Sequence, residues 1–515
     1  MFIDGRQVED GTIIETDLAI IGAGAAGISI ARELAGTDIS VALIESGGFE
    51  FDAATQDLYE GEMGGVEYPL TSSRLRYFGG TTNHWGGWTR PFEPIDFEER
   101  DWVPYSGWPM TRADLDPYYD RAREICQIRS SGFDDASEWA DGGAPLPLAG
   151  DEVETRFFLY SPPTRFGKRY RPDIEQAKNI TCYLESNVTE IVPTENGAEV
   201  DHLKIATLTG VKYTIRPRVC VLACGGIENA RVLLLSNSVE KDGLGNRTGN
   251  VGRFFMEHPH VGSPATFLVT DLDLIASWYR TYTRVERPDG NVVMRGCLMM
   301  SEDYLRRNKR LGTVLTFAPS RPVTAETGKD NPPDPAEYLH PKILQLARST
   351  TSTPATTEEF GWRLGVGCAS EQEPNPASRI TLSERKDALG LNRTKLTWRL
   401  KKSDRDNLRA NLEAVARAFG GWGEGRVRIL FPERDEWNVA EGWGNHHLGT
   451  TRISTDPKHG VVDADCRVHG MSNLFIAGSS VFPTGSTVNP TLTLVALALR
   501  LSDHLKHRFA AGTPL

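Results

Sequence analysis

Three glycines at 22, 24 and 27 and a glutamate at 45 are the first residues of this chain whose types and spacing could do chemistry. The glycines follow the run Asp17-Leu18-Ala19-Ile20-Ile21, and Glu45 ends the run Val41-Ala42-Leu43-Ile44. The chemistry is the holding of a dinucleotide. Gly22 permits a tight turn, Gly24 lets backbone approach a pyrophosphate, and Gly27 lets a helix pack closely on a strand. The phosphates would sit at the helix N-terminus, where unpaired N–H groups and the helix dipole favour anions. Glu45, 18 residues after Gly27, is placed to hydrogen-bond an adenosine ribose hydroxyl.

Positioning those residues requires a strand, a turn, a helix and a second strand in that order. Residues 18–21 form an apolar run of buried-strand length, 25–35 a small-residue helix, and 41–44 a second buried strand. Because these elements fall in register, a dinucleotide site is a better reading than an ordinary glycine turn, and the ribose acid suits FAD or NAD better than NADP. Residues 219–236 again read as strand, glycine turn and helix, which would return the chain to the same sheet. The stretch 180–216 is β-rich and broken by Asn196-Gly197 and Thr209-Gly210, as hairpins beside that sheet would be. A final helix over about 490–508 would start after Asn489, with Pro490 suited to the first turn.

Further motifs lie around these elements. Residues 78–88 read Phe-Gly-Gly-Thr-Thr-Asn-His-Trp-Gly-Gly-Trp, followed by Pro94-Ile95-Asp96-Phe97, Ser106-Gly107-Trp108-Pro109-Met110 and Asp114-Leu115-Asp116-Pro117-Tyr118-Tyr119. Toward the other end come His446-His447-Leu448-Gly449-Thr450-Thr451-Arg452, then Asn473-Leu474-Phe475-Ile476-Ala477-Gly478-Ser479-Ser480. Pro483-Thr484-Gly485 and Asn489-Pro490-Thr491-Leu492-Thr493 complete the set. This ordered set resembles the glucose-methanol-choline (GMC) oxidoreductases, FAD enzymes that oxidise alcohols. Within them it is most similar to the branch of pyranose oxidases, sugar and C-glycoside 3-oxidases, and gluconate or fructose dehydrogenase large subunits. The resemblance covers both ends of the chain, while residues 265–360 carry little of it.

The resemblance implies an α/β protein: a discontinuous Rossmann-like FAD-binding domain with an inserted α+β substrate-binding domain. The corresponding segments here are 14–105, 180–262 and 440–510 for the first domain, and 106–179 and 263–439 for the second. It also implies a site. The base is the His three residues before the Gly of His-x-x-Gly-Thr-x-Arg, which lands on His446, and the residue that holds the substrate oxygen lands on Asn489. His447 and Gln372, the latter from Glu371-Gln372-Glu373-Pro374, are candidate substrate contacts. Around FAD it places Gly79, Gly80, Asn83, His84, Val188, Ala223, Gly478, Ser479, Pro490 and Thr491, beside Gly22, Gly24, Gly27 and Glu45. The N-terminus of the last helix would face the flavin pyrimidine ring. Some pyranose oxidases attach FAD through the His of a turn like that of His84. This chain has Gly86 where they carry Thr, so non-covalent FAD is the expectation and a bond to His84 the alternative.

These residues have plainer readings too. Asn489 could serve only as a helix cap, and Gln372 could sit in a surface turn before a strand. Trp88, Trp108 and Trp443 could face a sugar ring or simply pack the core. His446 and His447 would point to opposite sides if extended.

The expected reaction is FAD-dependent oxidation of a secondary alcohol of a sugar or glycoside, with oxygen, a quinone or a protein subunit taking the electrons. Alternatives are a non-sugar alcohol such as a sterol or polyketide, or a flavin-binding subunit without turnover. A reductase or monooxygenase using NAD(P)H would need a second nucleotide fingerprint, and Ala223-Cys224-Gly225-Gly226-Ile227 lacks that spacing.

Composition narrows the rest. The 515 residues carry 57 Lys plus Arg against 69 Asp plus Glu, a net charge of −12, which argues against a nucleic-acid partner. A mean hydropathy of −0.36 and 45 aromatic residues (11 Trp, 14 Tyr, 20 Phe) exclude a disordered chain. Seven scattered cysteines suggest no disulfide framework, and Cys220 and Cys224 fall in an apolar run, so no metal site is expected. The absence of a Cys-x-x-Cys-His run excludes a c-type haem. No signal segment or membrane span is visible, so a cytoplasmic protein is expected. Residues 319–358, rich in Pro, Thr and Ser, read either as a loop over an active-site entrance or as a surface excursion.

Overall fold

A computed structural model describes residues 1–287, 290–324, 359–431 and 444–511. Its central sheet has the order Phe2–Asp4, Ile180–Leu184, Val41–Ile44, Ile13–Ile21, Lys212–Leu222, with Leu474–Ile476 alongside Lys212–Leu222. All of these neighbours run parallel. The far flank is antiparallel, formed by Val200–Ala206 and Asn187–Pro193. Residues Leu18–Ile21, Val41–Ile44 and Val219–Leu222 are at most 4% exposed, which is why they read as unbroken apolar runs. A parallel strand covered on both faces has no polar side to alternate with.

The helix Ala25–Glu33 packs against the long last helix, Thr491–Ala510, which in turn packs on Arg112–Ile125. The segment 219–236 forms the end of Lys212–Leu222 and the helix Gly225–Leu235. Strands from three distant parts of the chain therefore meet in one sheet, and their carboxyl ends point the same way.

A second, antiparallel sheet has the order Gly425–Ile429, Ala265–Val269, Glu359–Ser370, Thr313–Thr324, Val292–Met300, Val153–Tyr160, Trp88–Thr89. The helix Lys402–Trp422 packs against its strands. Trp88–Thr89, expected among the nucleotide-binding segments, is an edge strand of this second sheet, and His260–Gly262 pairs within it too. Phe2–Asp4, which lies before the expected start at residue 14, instead joins the nucleotide sheet. The segment 319–358 begins in Thr313–Thr324, and the chain resumes in its antiparallel neighbour Glu359–Ser370. Residues 325–358, and with them most of that segment, lie outside the described residues. A small third sheet joins Gly61–Gly65 to Arg379–Lys386 through Asn392–Trp398. Among the described residues, no helix is long and apolar enough to cross a membrane.

Candidate active site

The carboxyl ends of the parallel strands open onto a cavity of about 380 Å³. Gly22, Glu45, Ala223 and Gly478, each just past the end of a strand, all line it. Gly22 has φ +103°, the turn that swings the chain from strand to helix. A Cβ on Gly27 would lie 1.9 Å from the carbonyl oxygen of Gly22, so helix and turn can approach this closely only with glycine there. At Gly24 an added Cβ would meet nothing within 4 Å, because that face opens into the cavity. Glu45 is anchored by its own neighbours. Its Oε2 accepts from the N–H of Ala23 at 3.0 Å, and its Oε1 from that of Gly47 at 3.0 Å.

The second glycine turn is fastened to the first, since the N–H of Gly79 donates to the carbonyl of Ala23 at 2.8 Å. Gly80 and His84 line the cavity, whereas Gly79 and Asn83 lie behind it. Asn83 spends its Nδ2 on the carbonyl of Phe78 at 2.9 Å, which shapes the turn. Burial and then Arg165 lower the pKa of His84, keeping its ring neutral. Val188, Ser479, Pro490 and Thr491 also line the cavity.

Beside the glycine turns lies a buried ionic group absent from the sequence reading. Arg74 Nη1 is 2.9 Å from one oxygen of Glu228, while Arg76 and Arg231 each lie 3.3 Å from the other. Arg231 also meets Asp387 at 2.6 Å. Burial pushes the Glu228 carboxyl up, but Arg231, Arg74 and Arg76 outweigh it and hold it down at about 2. Three guanidiniums thus stand against Glu228, Asp387 and, within electrostatic reach of Arg76, Glu45. Arg76 lines the cavity, and its Nε is buried without a hydrogen-bond partner among the described residues. An open face at Gly24, an anchored acid at Glu45 and a cavity-lining guanidinium, Arg76, with its buried Nε unpartnered together fit a bound FAD, whose diphosphate is the anion required.

The same cavity also carries the histidines. Asn445, at φ +58°, turns the chain so that His446 and His447 both line it. Leu448 and Met256 pair through backbone bonds of 3.0 and 3.1 Å, which lays Glu257-His258 beside His446-His447. His446 Nε2 lies 3.0 Å from Asn489 Nδ2, and His446 Nδ1 lies 2.7 Å from His258 Nδ1. Asn489 is not the helix cap that its position allows. Pro490 is the N-cap, with no side-chain bond, and the Asn489 amide turns to His446 instead. His447 belongs to a different cluster: its Nε2 is 2.8 Å from the Tyr68 hydroxyl, which donates to Glu257 at 2.6 Å.

Glu257 underlies both histidines. Its carboxylate accepts from the backbone N–H of His446 at 2.9 Å and of His258 at 2.8 Å. Burial raises its pKa to about 7, against those donors and the Tyr68 hydroxyl, which pull it down. Burial drives His446 well below the ordinary histidine value, helped by His258, His260 and His447, and holds His447 at about 3. Both rings are therefore neutral. A neutral imidazole on the wall of this cavity, with an amide at its Nε2, is equipped to receive a proton.

Gln372 is a correction. It is 1% exposed and does not line the cavity. Its Oε1 accepts from Trp398 Nε1 at 3.0 Å and from the N–H of Glu257 at 3.1 Å, so it braces the strand behind the site. Trp108 packs against Phe92, Phe97 and Phe482 and donates to Thr484 at 2.9 Å, while Trp88 lines the cavity. Trp443 lies outside the described residues. Sequence reasoning missed Glu257, His258, Tyr68, Arg74 and Arg76. The signal for the first two was present in Glu257-His258-Pro259-His260, three titratable side chains within four residues.

Comparison with known proteins bears on the family and the fold. Residues 17–247 match the family described as FAD dependent oxidoreductase, and residues 374–498 the family described as GMC oxidoreductase. The 2-methyl-1,2-propanediol dehydrogenase of Mycolicibacterium austroafricanum is 24% identical over 566 aligned residues, covering 96% of each chain. The crystal structure of pyridoxine 4-oxidase from Mesorbium loti shares the fold, with a TM-score of 0.57 at 18% identity, covering 96% of this chain and 99% of that one. The pyranose 2-oxidase of Tricholoma matsutake is 33% identical, covering 83% of this chain and 72% of that enzyme. One third identity across most of both chains settles the family: the chain belongs to the GMC oxidoreductases, FAD-dependent enzymes that oxidise alcohols.

Proposed function

We propose that this enzyme oxidises a secondary hydroxyl of a sugar or glycoside to a ketone, with His446 as the base and Asn489 as the group that orients the oxygen. The observation that carries the reading is the 3.0 Å contact between His446 Nε2 and Asn489 Nδ2 on the wall of the nucleotide cavity. A hydroxyl that takes the place of the Asn489 amide at His446 Nε2 would give its proton to that nitrogen, with the displaced amide donating to the hydroxyl oxygen. When bound, the flavin supplies the hydride acceptor for the alcohol carbon. Gly22, Gly24, Glu45 and Arg76 would hold the dinucleotide, and the N-terminus of Thr491–Ala510 would present unpaired N–H groups to its ring end. Glu257 would stabilise the imidazolium that His446 becomes.

Two observations support a sugar. The relative with 33% identity is a pyranose 2-oxidase, and Trp85 and Trp88 on the cavity wall offer apolar faces to a ring. Similarity to the propanediol dehydrogenase across nearly the whole chain favours a small diol as the second reading. Anaerobic mixing with a panel of sugars, glycosides and small diols tests both, because a true substrate bleaches the flavin band near ~450 nm. Bleaching by diols alone would move the substrate class, and bleaching by no alcohol would overturn the reading. Repeating the reduction with oxygen or a quinone present identifies the acceptor. Seven cysteines without a disulfide among them support a reducing, cytoplasmic setting.

A further inference from the structure

A histidine can act as a base only through a nitrogen that has no proton, and a neutral imidazole has one of each kind. His446 has two candidates, Nε2 toward Asn489 and Nδ1 toward His258. We propose that His258 is a positioning residue that locks His446 in the tautomer with the proton on Nδ1 and the lone pair on Nε2. The proposal rests on His446 being the base and deepens that reading.

The direction of the chain of bonds is set at its far end. His258 Nε2 lies 2.9 Å from the carbonyl oxygen of Gly485. A carbonyl can only accept, so His258 Nε2 carries the proton and donates it. His258 is fully buried and neutral, so its Nδ1 is bare. The Nδ1 of His446, 2.7 Å away, must then donate, and His446 Nε2 is left with the lone pair. The Asn489 amide completes the line by donating to that lone pair at 3.0 Å. The opposite tautomer would press two lone pairs together at 2.7 Å between rings that pack edge-on. Glu257 cannot replace His258, since its nearest oxygen is 3.9 Å from His446 Nδ1 and is already taken by backbone N–H groups.

The His258 ring is itself held. Its backbone N–H donates to Glu257, Pro259 follows it, and it meets the His446 ring edge-on with centroids 4.8 Å apart. A carbonyl of the loop before the last helix thus sets the protonation pattern of the base through one intervening ring. During turnover the substrate hydroxyl proton passes to His446 Nε2, and the Nδ1 proton stays on its bond to His258.

The test is long-range ¹H–¹⁵N correlation NMR on the FAD-loaded enzyme labelled with ¹⁵N-histidine, with His446 assigned by loss of its signals in His446→Gln. The expected wild-type pattern is a protonated Nδ1 and a bare Nε2 on His446. In His258→Phe the pattern should shift toward Nε2–H. Flavin reduction should then slow by up to the roughly 10²–10⁴-fold that a general base supplies, with KM nearly unchanged. His258→Asn places an amide oxygen near the lost Nδ1 and should recover both the pattern and much of the rate. A bare Nδ1 on wild-type His446 would overturn the proposal even if no variant folds, as would an unchanged His446 pattern in a folded His258→Phe. An undiminished reduction rate in His446→Gln would instead refute the base assignment.

Discussion

The Nδ1 atoms of His446 and His258 lie 2.7 Å apart, which leaves His446 only its Nε2 to turn toward Asn489 and the cavity. Its neighbour His447 lines the same cavity but has its Nε2 engaged by the Tyr68 hydroxyl at 2.8 Å. The two residues should therefore respond differently to truncation. His446→Ala should slow anaerobic flavin reduction by roughly 10²–10⁴-fold, the usual contribution of a general base. His447→Ala should lower it by no more than about tenfold, as expected for a group that packs rather than transfers a proton. Stopped-flow reduction of both variants checks this, and a reversed order would move the base by one residue.

The pH dependence should belong to Glu257 rather than to the base. His446 is held far below the ordinary histidine value, so it stays unprotonated throughout the neutral range. Glu257 is a buried carboxyl raised to about 7, so it loses its negative charge as pH falls through that point. Its oxygen is 3.9 Å from His446 Nδ1. At about 4 Å an ion pair at an effective dielectric of ~20 is worth up to about 4 kcal/mol. Flavin reduction should therefore slow as pH drops through about 7, the point set by Glu257. In Glu257→Gln the rate should be lower and flat across the same range. A fall near the same pH that persists in Glu257→Gln would show that another group titrates.

The parts of this architecture that were legible in the sequence are those in which chemistry constrains the backbone. A diphosphate needs a turn at Gly22 and an open face at Gly24, and buried parallel strands need apolar runs such as Leu18–Ile21 and Val219–Leu222. What escaped depends on contacts between distant residues. Glu257 meets the backbone of His446 across 189 positions, and Arg74 meets Glu228 across 154. Gln372 was misread for the same reason. Its polar neighbours suggest a surface or a site, but Trp398 and the backbone of Glu257 use its oxygen in the interior. Trp88 joined the second sheet because strand pairing with Tyr160, not proximity in sequence to the glycine turn, decides its place.

The flavin should leave the protein on denaturation. His84 borders the cavity in a turn whose next-but-one residue is Gly86. Its ring is neutral, held down by burial and Arg165. Acid precipitation should give a colourless pellet and a yellow supernatant, and the intact mass of the chain should carry no flavin increment. A yellow pellet that turns colourless in His84→Ala would establish a bond to that histidine instead.

Gly24 and Gly27 should separate cofactor binding from folding. A Cβ on Gly27 would sit 1.9 Å from the Gly22 carbonyl oxygen and 3.3 Å from Ile20 Cγ2. Both neighbours belong to the packed strand and turn, so neither can give way cheaply. Overpacking of this kind typically costs about 1–3 kcal/mol, so Gly27→Ala should lower the melting temperature of the FAD-free protein. Gly24→Ala has a different outcome, because its new methyl meets no protein atom within 4 Å and projects into the cavity. The FAD-free variant should melt close to wild type, yet bind FAD at least about tenfold more weakly, because backbone there must closely approach the diphosphate. Thermal unfolding of the two apoproteins, paired with FAD titration by flavin fluorescence quenching, reads both effects. If Gly24→Ala binds FAD like wild type, the diphosphate does not rest on this turn, and Arg74 and Arg76 become the sites to test next.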